Sequence, residues 1–135
     1  MEKQLKQIDK GRVSSIGLTL KNFNSKDKLV NFWAMRNIAS CQEVIKELEE
    51  FKQITFMNLA EKDEKGVLLE SEKGDFVLTK KARIKATEII KTKMEETVEV
   101  EFCVIKQEEN EEIFNLPLDV KVLFDGYIIE TTEML

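Results

Sequence analysis

The clearest pattern along the chain is a helical spacing of apolar residues that ends near Lys62. Apolar side chains recur at three- and four-residue steps from Val30 to Leu59, and neither Gly nor Pro interrupts them. Such spacing places the apolar residues on one face of an α-helix. The pattern predicts a helix of roughly thirty residues or more, well above the globular mean of about 11–12. Ser25 is the predicted N-cap, and Asp27 is predicted to lie in the first turn.

A second set of apolar residues widens the apolar surface of this helix at both of its ends. The set comprises Phe32, Trp33, Met35, Phe56 and Met57. A helix with more apolar surface than one stripe tends to pack on more than one element or on another subunit. We therefore treat these five residues as a candidate protein interface. The competing interpretation places Phe32 and Trp33 in the core together with Phe23.

Two weaker patterns precede the long helix. The first eleven residues are polar and charged, which predicts a flexible arm or a helical turn over residues 1–11. After them, Ile16, Leu18 and Leu20 occupy every second position. Because alternation with a period of two is typical of a strand, we predict a β-strand here.

The segment after the long helix combines turn signals with a second helix. Two short apolar runs, VLL and FVL, each lie next to a Gly and are separated by SEKG, which predicts a small β-hairpin or another structured excursion. Thr79 is the predicted N-cap of a shorter, basic helix. The apolar face predicted for this helix comprises Ala82, Ala86, Ile89, Ile90 and Met94.

The C-terminal part of the chain contains one clear strand pattern and one ambiguous element. In TVEVEFCVIK, apolar side chains alternate with Glu99 and Glu101, which is typical of a half-buried antiparallel strand. The face predicted to be buried consists of Val98, Val100, Phe102 and Val104. Residues 117–130 fit either a helix or a strand, and a helix starting at Pro117 is favoured.

These elements together predict the α+β fold class. The predicted architecture is one long helix in the N-terminal half plus a shorter helix, packed on a small antiparallel sheet. A chain of 135 residues can bury a core without a disulfide or a metal, and we expect residues 1–135 to form a single domain.

The composition argues against a catalytic or metal site. The chain contains no histidine, the side chain that titrates near neutral pH and most often binds metals. Its two cysteines, Cys41 and Cys103, lie in apolar patterns on separate predicted elements, where free thiols behave as small hydrophobes. No glycine spacing typical of a phosphate-binding loop occurs. We therefore expect no enzymatic activity, no cofactor, no metal and no small-molecule substrate.

Charge is distributed unevenly along a chain whose net charge is −5. Residues 80–93 carry six basic side chains and one acidic one. The candidate basic patch within them is Lys80, Lys81, Arg83 and Lys85. Such a helix could reach nucleic-acid phosphates, so a nucleic-acid-binding regulatory protein is one alternative. The net acidity and the lack of interleaved aromatic residues argue against it.

The acidic C-terminal part supports a further alternative. Its most acidic run comprises Glu108, Glu109, Glu111 and Glu112. Such a surface could act as an inhibitor by steering a partner protein to it. Intramolecular complementarity with the basic helix, or plain solvation, would explain the same charges.

The chain shows no signal for secretion or membrane insertion. No uncharged apolar stretch of about 18 residues occurs, and the N-terminus lacks the apolar core of a secretory signal. We expect the protein in a cytoplasm, or in a particle assembled there, with no membrane partner.

Three runs in the second half of the chain follow one another in a distinctive order: KDEKG, then EKGDFVLTKKARIKATEIIKTKMEETVEVEFCVIK, then FNLPLDVKVLFDGYIIE. Over about residues 40–130 this order resembles small uncharacterised proteins encoded by tailed bacteriophages and prophages. In those proteins a charged helix ends near a D-E-x-G turn, a Lys/Glu-rich helix and a V-E-V strand follow, and an apolar helix closes the chain. The resemblance carries no catalytic motif. It implies an accessory protein that acts in the host cytoplasm or is packed in the virion. In that context the acidic run would be the surface of an inhibitor that blocks a host defence protein.

These observations together predict a non-enzymatic phage-encoded interaction protein, and in its most specific form a virion or assembly component. The long helix and its aromatic N-terminal end are expected to contact a protein partner or a second copy of the chain.

Overall fold

The computed structural model describes residues 1–72 and 74–131 of the chain. Its elements are β1 (Glu2–Asp9), α1 (Lys10–Leu20), α2 (Lys28–Leu59), α3 (Lys80–Met94), β2 (Thr97–Lys106), α4 (Glu111–Phe114), α5 (Leu118–Phe124) and β3 (Ile129–Glu130). Helices and strands share one hydrophobic core, which confirms the predicted α+β class. The long helix is confirmed as well, since α2 has 32 residues.

β2 is the central strand of a small mixed sheet. All eight residues of β1 pair with β2 in antiparallel fashion, from Glu2 opposite Val104 to Asp9 opposite Thr97. β3 pairs with the other end of β2 in parallel, at residues 105–106. The sequence predicts an antiparallel sheet, and the parallel β3 makes it mixed. A parallel neighbour becomes possible because the chain passes through α4 and α5 before it returns beside β2.

The alternation predicted for β2 holds in its first half. Glu99 and Glu101 are exposed, and Val100 lies in the core on the other face. Towards the C-terminal end both faces are covered, because Cys103 and Ile105 are also buried. β2 therefore runs from the surface into the centre of the molecule.

The N-terminal segment is a strand, so the flexible arm predicted over residues 1–11 is wrong. Every residue of β1 has a partner on β2, and Ile8 reaches the core with 2% of its surface exposed. Leu5, by contrast, is 62% exposed, so the strand shows no regular apolar alternation in its sequence. Long-range pairing with β2 makes this segment a strand. Beside that pairing, the side-chain amide of Gln7 donates a hydrogen bond to the Glu99 carboxylate, 92 positions away, at 3.2 Å.

The strand predicted at Ile16, Leu18 and Leu20 is also wrong, because this segment belongs to helix α1. The residues of α1 that are buried are Gly11, Val13, Ile16, Gly17 and Leu20. The last four of them follow helical spacing, whereas Leu18 is 48% exposed. Gly17 allows close approach to α2, since a Cβ there would lie 2.8 Å from the Cβ of Cys41. Alternating apolar residues thus belong here to a helix that packs on α2.

Asp27, and not the predicted Ser25, is the N-cap of α2. Its Oδ1 accepts hydrogen bonds from the backbone N–H groups of Leu29 and Val30 at 2.8 and 3.4 Å. Its Oδ2 accepts from Asn110 Nδ2 at 3.0 Å, and this hydrogen bond is the main reason why the pKa of Asp27 is lowered. Asn110 is itself the N-cap of α4. The same contact therefore fixes the start of two helices.

Two buried polar side chains attach α2 to the sheet. Asn37 donates from Nδ2 to the Cys103 carbonyl at 2.9 Å and accepts on Oδ1 from the Cys103 N–H at 2.8 Å. One turn earlier, Trp33 Nε1 donates to the Ile128 carbonyl at 3.0 Å. That carbonyl also accepts from the Ile105 N–H at 3.1 Å, next to the pairing of β2 with β3. The rotation of α2 about its axis is thereby set.

The segment between α2 and α3 forms two consecutive turns, as predicted for a structured excursion. Bridges join Lys62 to Leu68 and Glu70 to Phe76. Gly66 has a φ of 80°, a conformation that favours glycine, and this explains a turn at that position.

The N-terminal boundaries of α3 and α5 agree with the predictions. Thr79 caps α3 by accepting the Ala82 N–H at 3.0 Å. α5 follows Pro117, and β3 follows α5. Residues 117–130 therefore contain both a helix and a strand.

We expect Asn37→Ala to lower the free energy of unfolding by about 2–4 kcal/mol, because it leaves the buried N–H and C=O of Cys103 without partners. Urea denaturation measures the change. Ser40→Ala is the control: Ser40 lies on the same helix, and its hydroxyl donates within α2 to the Arg36 carbonyl. It should cost less than about 0.5 kcal/mol. Equal stability of the two variants would show that the Asn37 contacts do not hold α2 on the sheet.

Candidate interaction surface

α2 is long enough to present a face that the core does not cover. Its buried residues are Val30, Trp33, Ala34, Asn37, Cys41, Val44, Ile45, Leu48 and Thr55. On the opposite face, alternating steps of four and three residues select a row of exposed side chains. We call this row the outer stripe: Phe32, Arg36, Ala39, Glu43, Lys46, Glu50, Gln53 and Met57. Steps of four and three keep residues on one side of a helix, so the stripe follows most of α2.

Large apolar side chains lie at both ends of the outer stripe. At the first end, Phe32 is 52% exposed and its neighbour Met35 is 69% exposed. At the other end, Ile54 is 53% exposed and Met57 is 41% exposed. The Arg36 guanidinium lies 5.8 Å from the centre of the Phe32 ring. The surface thus consists of two apolar ends joined by a polar and charged middle.

The structure places three of the five predicted interface residues on this exposed face. Phe32 and Met57 belong to the outer stripe, and Met35 lies beside it. Phe56 is half-buried on another side of α2. Ile54 is exposed at the same end as Met57, although it is not one of the five predicted interface residues.

For Trp33 the core interpretation is correct, and its prediction as an interface residue is wrong. Its side chain is 0% exposed. The centre of its indole ring lies 5.9 Å from the ring centres of both Phe23 and Phe124. Phe32 faces solvent although it is the next residue, because successive helical residues are turned by about 100°.

Phe56 lines a groove of about 610 Å³ between the end of α2, the excursion and α3. Phe76 and Leu78 of the excursion form further apolar walls, and Asp75 and Arg83 also line the groove. Phe56 is therefore covered in part by this chain, in a groove that also includes Gln53 of the outer stripe.

The predicted basic patch is also divided. Lys80, Lys81 and Lys85 are exposed on α3 and form no ion pair with any residue that the structure describes. Lys81 and Lys85, four positions apart, lie on one side of α3, whereas Lys80 and Arg83, three positions apart, lie on another. Arg83 also lines the groove. The structure therefore divides the predicted patch into two pairs.

The predicted acidic surface lies at the other end of the molecule. Glu108 and Glu109 belong to a 3₁₀ turn after β2, and Glu111 and Glu112 open α4. All four are exposed. Glu112 accepts a hydrogen bond from the Ser25 hydroxyl at 2.6 Å, beside the start of α2. Part of this charge therefore serves the junction between α2 and α4.

An ion-pair cluster holds the middle of α2 against α1 and the turn before β2. Lys10 Nζ binds Glu47 and also Glu96, the latter at 3.0 Å. Lys93 Nζ lies 3.6 Å from Glu47 and 3.2 Å from Glu96. The Lys10 hydrogen bond is the main cause that lowers the pKa of each carboxyl, and the hydrogen bond to Glu47 is the main cause that raises the pKa of Lys10.

The remaining reactive groups offer no chemistry at this surface. Burial raises the pKa of the Cys41 thiol to about 12, and Cys103 is also buried. Among residues 1–72 and 74–131, no three His, Cys, Asp or Glu side chains are grouped so that they could hold a metal ion. None of the helices in the same residues combines the length and the hydropathy needed to cross a membrane.

The charged residues in the middle of the stripe are the part that the sequence analysis missed. Glu43, Lys46 and Glu50 are ordinary solvated residues in a hydropathy pattern. The signal that could have found them is their spacing, which continues from Phe32 to Met57 in steps of four and three.

No family model matches this chain, and no curated protein or solved structure matches it. The resemblance to phage and prophage proteins therefore rests on the sequence pattern.

We expect the stabilising effect of the ion-pair cluster to fade in acid. The pKa of Glu47 is lower in the folded chain than in the unfolded chain, so its ionised form stabilises the fold above its ordinary pKa. This contribution is lost as the pH falls through the folded-state pKa. Glu47→Gln should cost about 0.5–1 kcal/mol near neutral pH, with solvent screening allowed for, and almost nothing in strong acid.

Urea denaturation at neutral and at strongly acidic pH tests this expectation. Glu88→Gln removes an exposed carboxyl of α3 that lies outside the cluster, and it serves as the control. Its effect should be small at both pH values. A cost of Glu47→Gln that stays constant as the pH falls would contradict the role assigned to the carboxylate.

Proposed function

We propose that this chain is a non-enzymatic interaction protein of a tailed bacteriophage or prophage, and that it works through protein–protein contacts made by the outer stripe and its apolar ends. The observation that carries the proposal is the exposure of Phe32, Met35, Ile54 and Met57 on α2, away from the side that carries its buried residues.

The arrangement of these side chains matters more than their number. Single exposed apolar residues are common on soluble proteins, but apolar groups aligned on one element and bordered by charges are typical of binding surfaces. Aromatic residues, Met and Arg are also the residues enriched in protein interfaces, and Phe32, Met35 and Arg36 supply all three within five positions.

The attachment of α2 to the rest of the molecule also favours its use as a binding surface. Asn37 and Trp33 fix the first half of α2 on the sheet, and Lys10 binds Glu47 in the second half. A surface held in one conformation loses little entropy on binding, so more of the contact energy appears as affinity.

The phage context and the non-enzymatic class rest on the sequence. The resemblance over about residues 40–130 implies an accessory protein in the host cytoplasm or in the virion. The virion version requires copies of the chain in purified particles. The absence of histidine from the chain supports binding over catalysis.

The double variant Phe32→Glu, Met35→Glu tests the surface. Used as bait in extracts of the producing cells, the wild-type chain should retain its partner, and the variant should retain at least about tenfold less, because two charges replace an apolar contact. The matched control is Leu118→Glu, Val122→Glu, which changes two side chains of α5 that are 76% and 62% exposed.

Circular dichroism confirms that both variants are folded. Binding that both variants lose equally, or that neither loses, would contradict an interface at this end of the outer stripe.

Nucleic-acid binding is a second candidate, because Lys80, Lys81 and Lys85 are exposed and unpaired within the described residues. Changing all three to Glu should abolish binding to a duplex and to a single strand. The affinity of the wild-type chain for nucleic acid should fall steeply as the salt concentration rises. The logarithm of the binding constant should fall with the logarithm of the salt concentration with a slope of about −0.9 for each phosphate contact on duplex DNA. Fluorescence anisotropy measures both effects.

The matched control changes Lys3, Lys26 and Lys106 to Glu, which alters the net charge by the same amount at exposed sites elsewhere. Equal loss of affinity in both triple variants would indicate a general charge effect and remove α3 as the binding element.

A further inference from the structure

We propose that the partner of the outer stripe is a second copy of this chain, and that two α2 helices pair in antiparallel orientation about a two-fold axis midway between Glu43 and Lys46. This inference rests on the proposed function, because it uses the same surface. It adds the identity of the partner, the orientation and the register.

The order of charges along the stripe is the first argument. From its N-terminal to its C-terminal end the stripe carries Arg36, Glu43, Lys46 and Glu50, so the signs alternate and sum to zero. All four side chains are exposed, and none of them forms an ion pair in the part of the chain that the structure describes. Reversing this order exchanges the signs of the four charges. Two copies in antiparallel orientation therefore can place Glu43 opposite Lys46 and bring Arg36 within one helical turn of Glu50.

The register follows from the spacing of the stripe. With the axis between positions 43 and 46, each stripe residue faces another stripe residue of the second copy, since steps of four and three read the same in reverse. The facing pairs are Glu43 with Lys46, Ala39 with Glu50, Arg36 with Gln53, and Phe32 with Met57. Each pair occurs twice, as a two-fold axis requires.

The apolar ends agree with this register. Phe32 meets Met57 of the second copy. Met35 and Ile54 lie on opposite flanks of the stripe, so each of them borders the interface on its own side. All four side chains are 41–69% exposed. Arg36 comes to lie within one helical turn of Glu50 of the second copy, which adds a charge contact next to the apolar end. The dimer would thus bury Phe32 and Met57 and cover part of Met35 and Ile54.

A parallel pair of α2 helices would bring like charges together. It would place Glu43 beside Glu43, Lys46 beside Lys46 and Arg36 beside Arg36, and like charges across an interface are unfavourable. The antiparallel axis also lies near the middle of Lys28–Leu59, so two helices of about 48 Å would overlap along nearly their whole length.

A charge exchange at the axis tests the register. Sedimentation equilibrium should show a dimer for the wild-type chain. Glu43→Lys and Lys46→Glu, each alone, place two pairs of like charges at the axis and should each raise the dissociation constant about tenfold or more. The double variant Glu43→Lys, Lys46→Glu restores opposite charges and should return the constant to within about threefold of the wild-type value. All three change exposed side chains, and circular dichroism checks that each variant is folded.

Glu49→Lys is the control, because it makes the same charge change on α2 at a position outside the stripe, turned by about 100° from Glu50. It should leave the dissociation constant nearly unchanged. A wild-type chain that stays monomeric at high micromolar concentration, or a double variant that dimerises no better than the single ones, would overturn the inference.

The outcome separates this inference from the proposed function. If the chain is monomeric but the wild-type bait still retains a different protein that the Phe32→Glu, Met35→Glu variant loses, self-pairing is wrong and the proposed function stands. If the chain dimerises and the double variant is not rescued, the stripe does not form the dimer in this register.

Discussion

The amide of Asn37 completes the sheet at the point where strand pairing stops, and the position of α2 depends on it. β3 pairs with β2 at residues 105–106, and no described strand continues alongside Cys103 on that side. Cys103 is 9% exposed, so its N–H and C=O need a partner within the protein. Asn37 supplies a donor and an acceptor on one side chain and so takes the place of a missing strand. A helix is thereby held at a fixed distance from a sheet edge.

The same contact decides which side of α2 meets solvent. Asn37 and Trp33 lie one turn apart and face the sheet. Arg36 and Phe32, each one position earlier, are turned by about 100° and therefore face outwards. The outer stripe is thus a geometric consequence of how the core is built. Its apolar ends stay exposed because the chain has no further element to place over them among the residues that the structure describes.

Local sequence patterns were sufficient to predict α2, the Thr79 cap of α3 and the first half of β2. In each of these the deciding signal lies within a few residues: a helical repeat, a hydroxyl before a helix, or alternating Val and Glu. For the candidate surface, hydropathy showed that Phe32, Met35 and Met57 give α2 more apolar surface than one packed face uses. It could not separate them from Trp33, because an aromatic side chain at a helix start suits the core and the surface equally well.

The sequence by itself determined the α+β class, the length of α2 and the excess of apolar residues on that helix, since periodicity and propensity are local properties. Only the tertiary structure decided that Glu2–Asp9 is a strand, because its pairing partners on β2 are 88 to 102 positions away. It also decided that the segment around Gly17 is a helix, because close approach to Cys41 outweighs an alternating pattern. The division of α2 into a buried and an exposed face belongs to the same category: the backbone of Cys103 and the carbonyl of Ile128 select which residues turn inwards, and neither lies near α2 in the sequence.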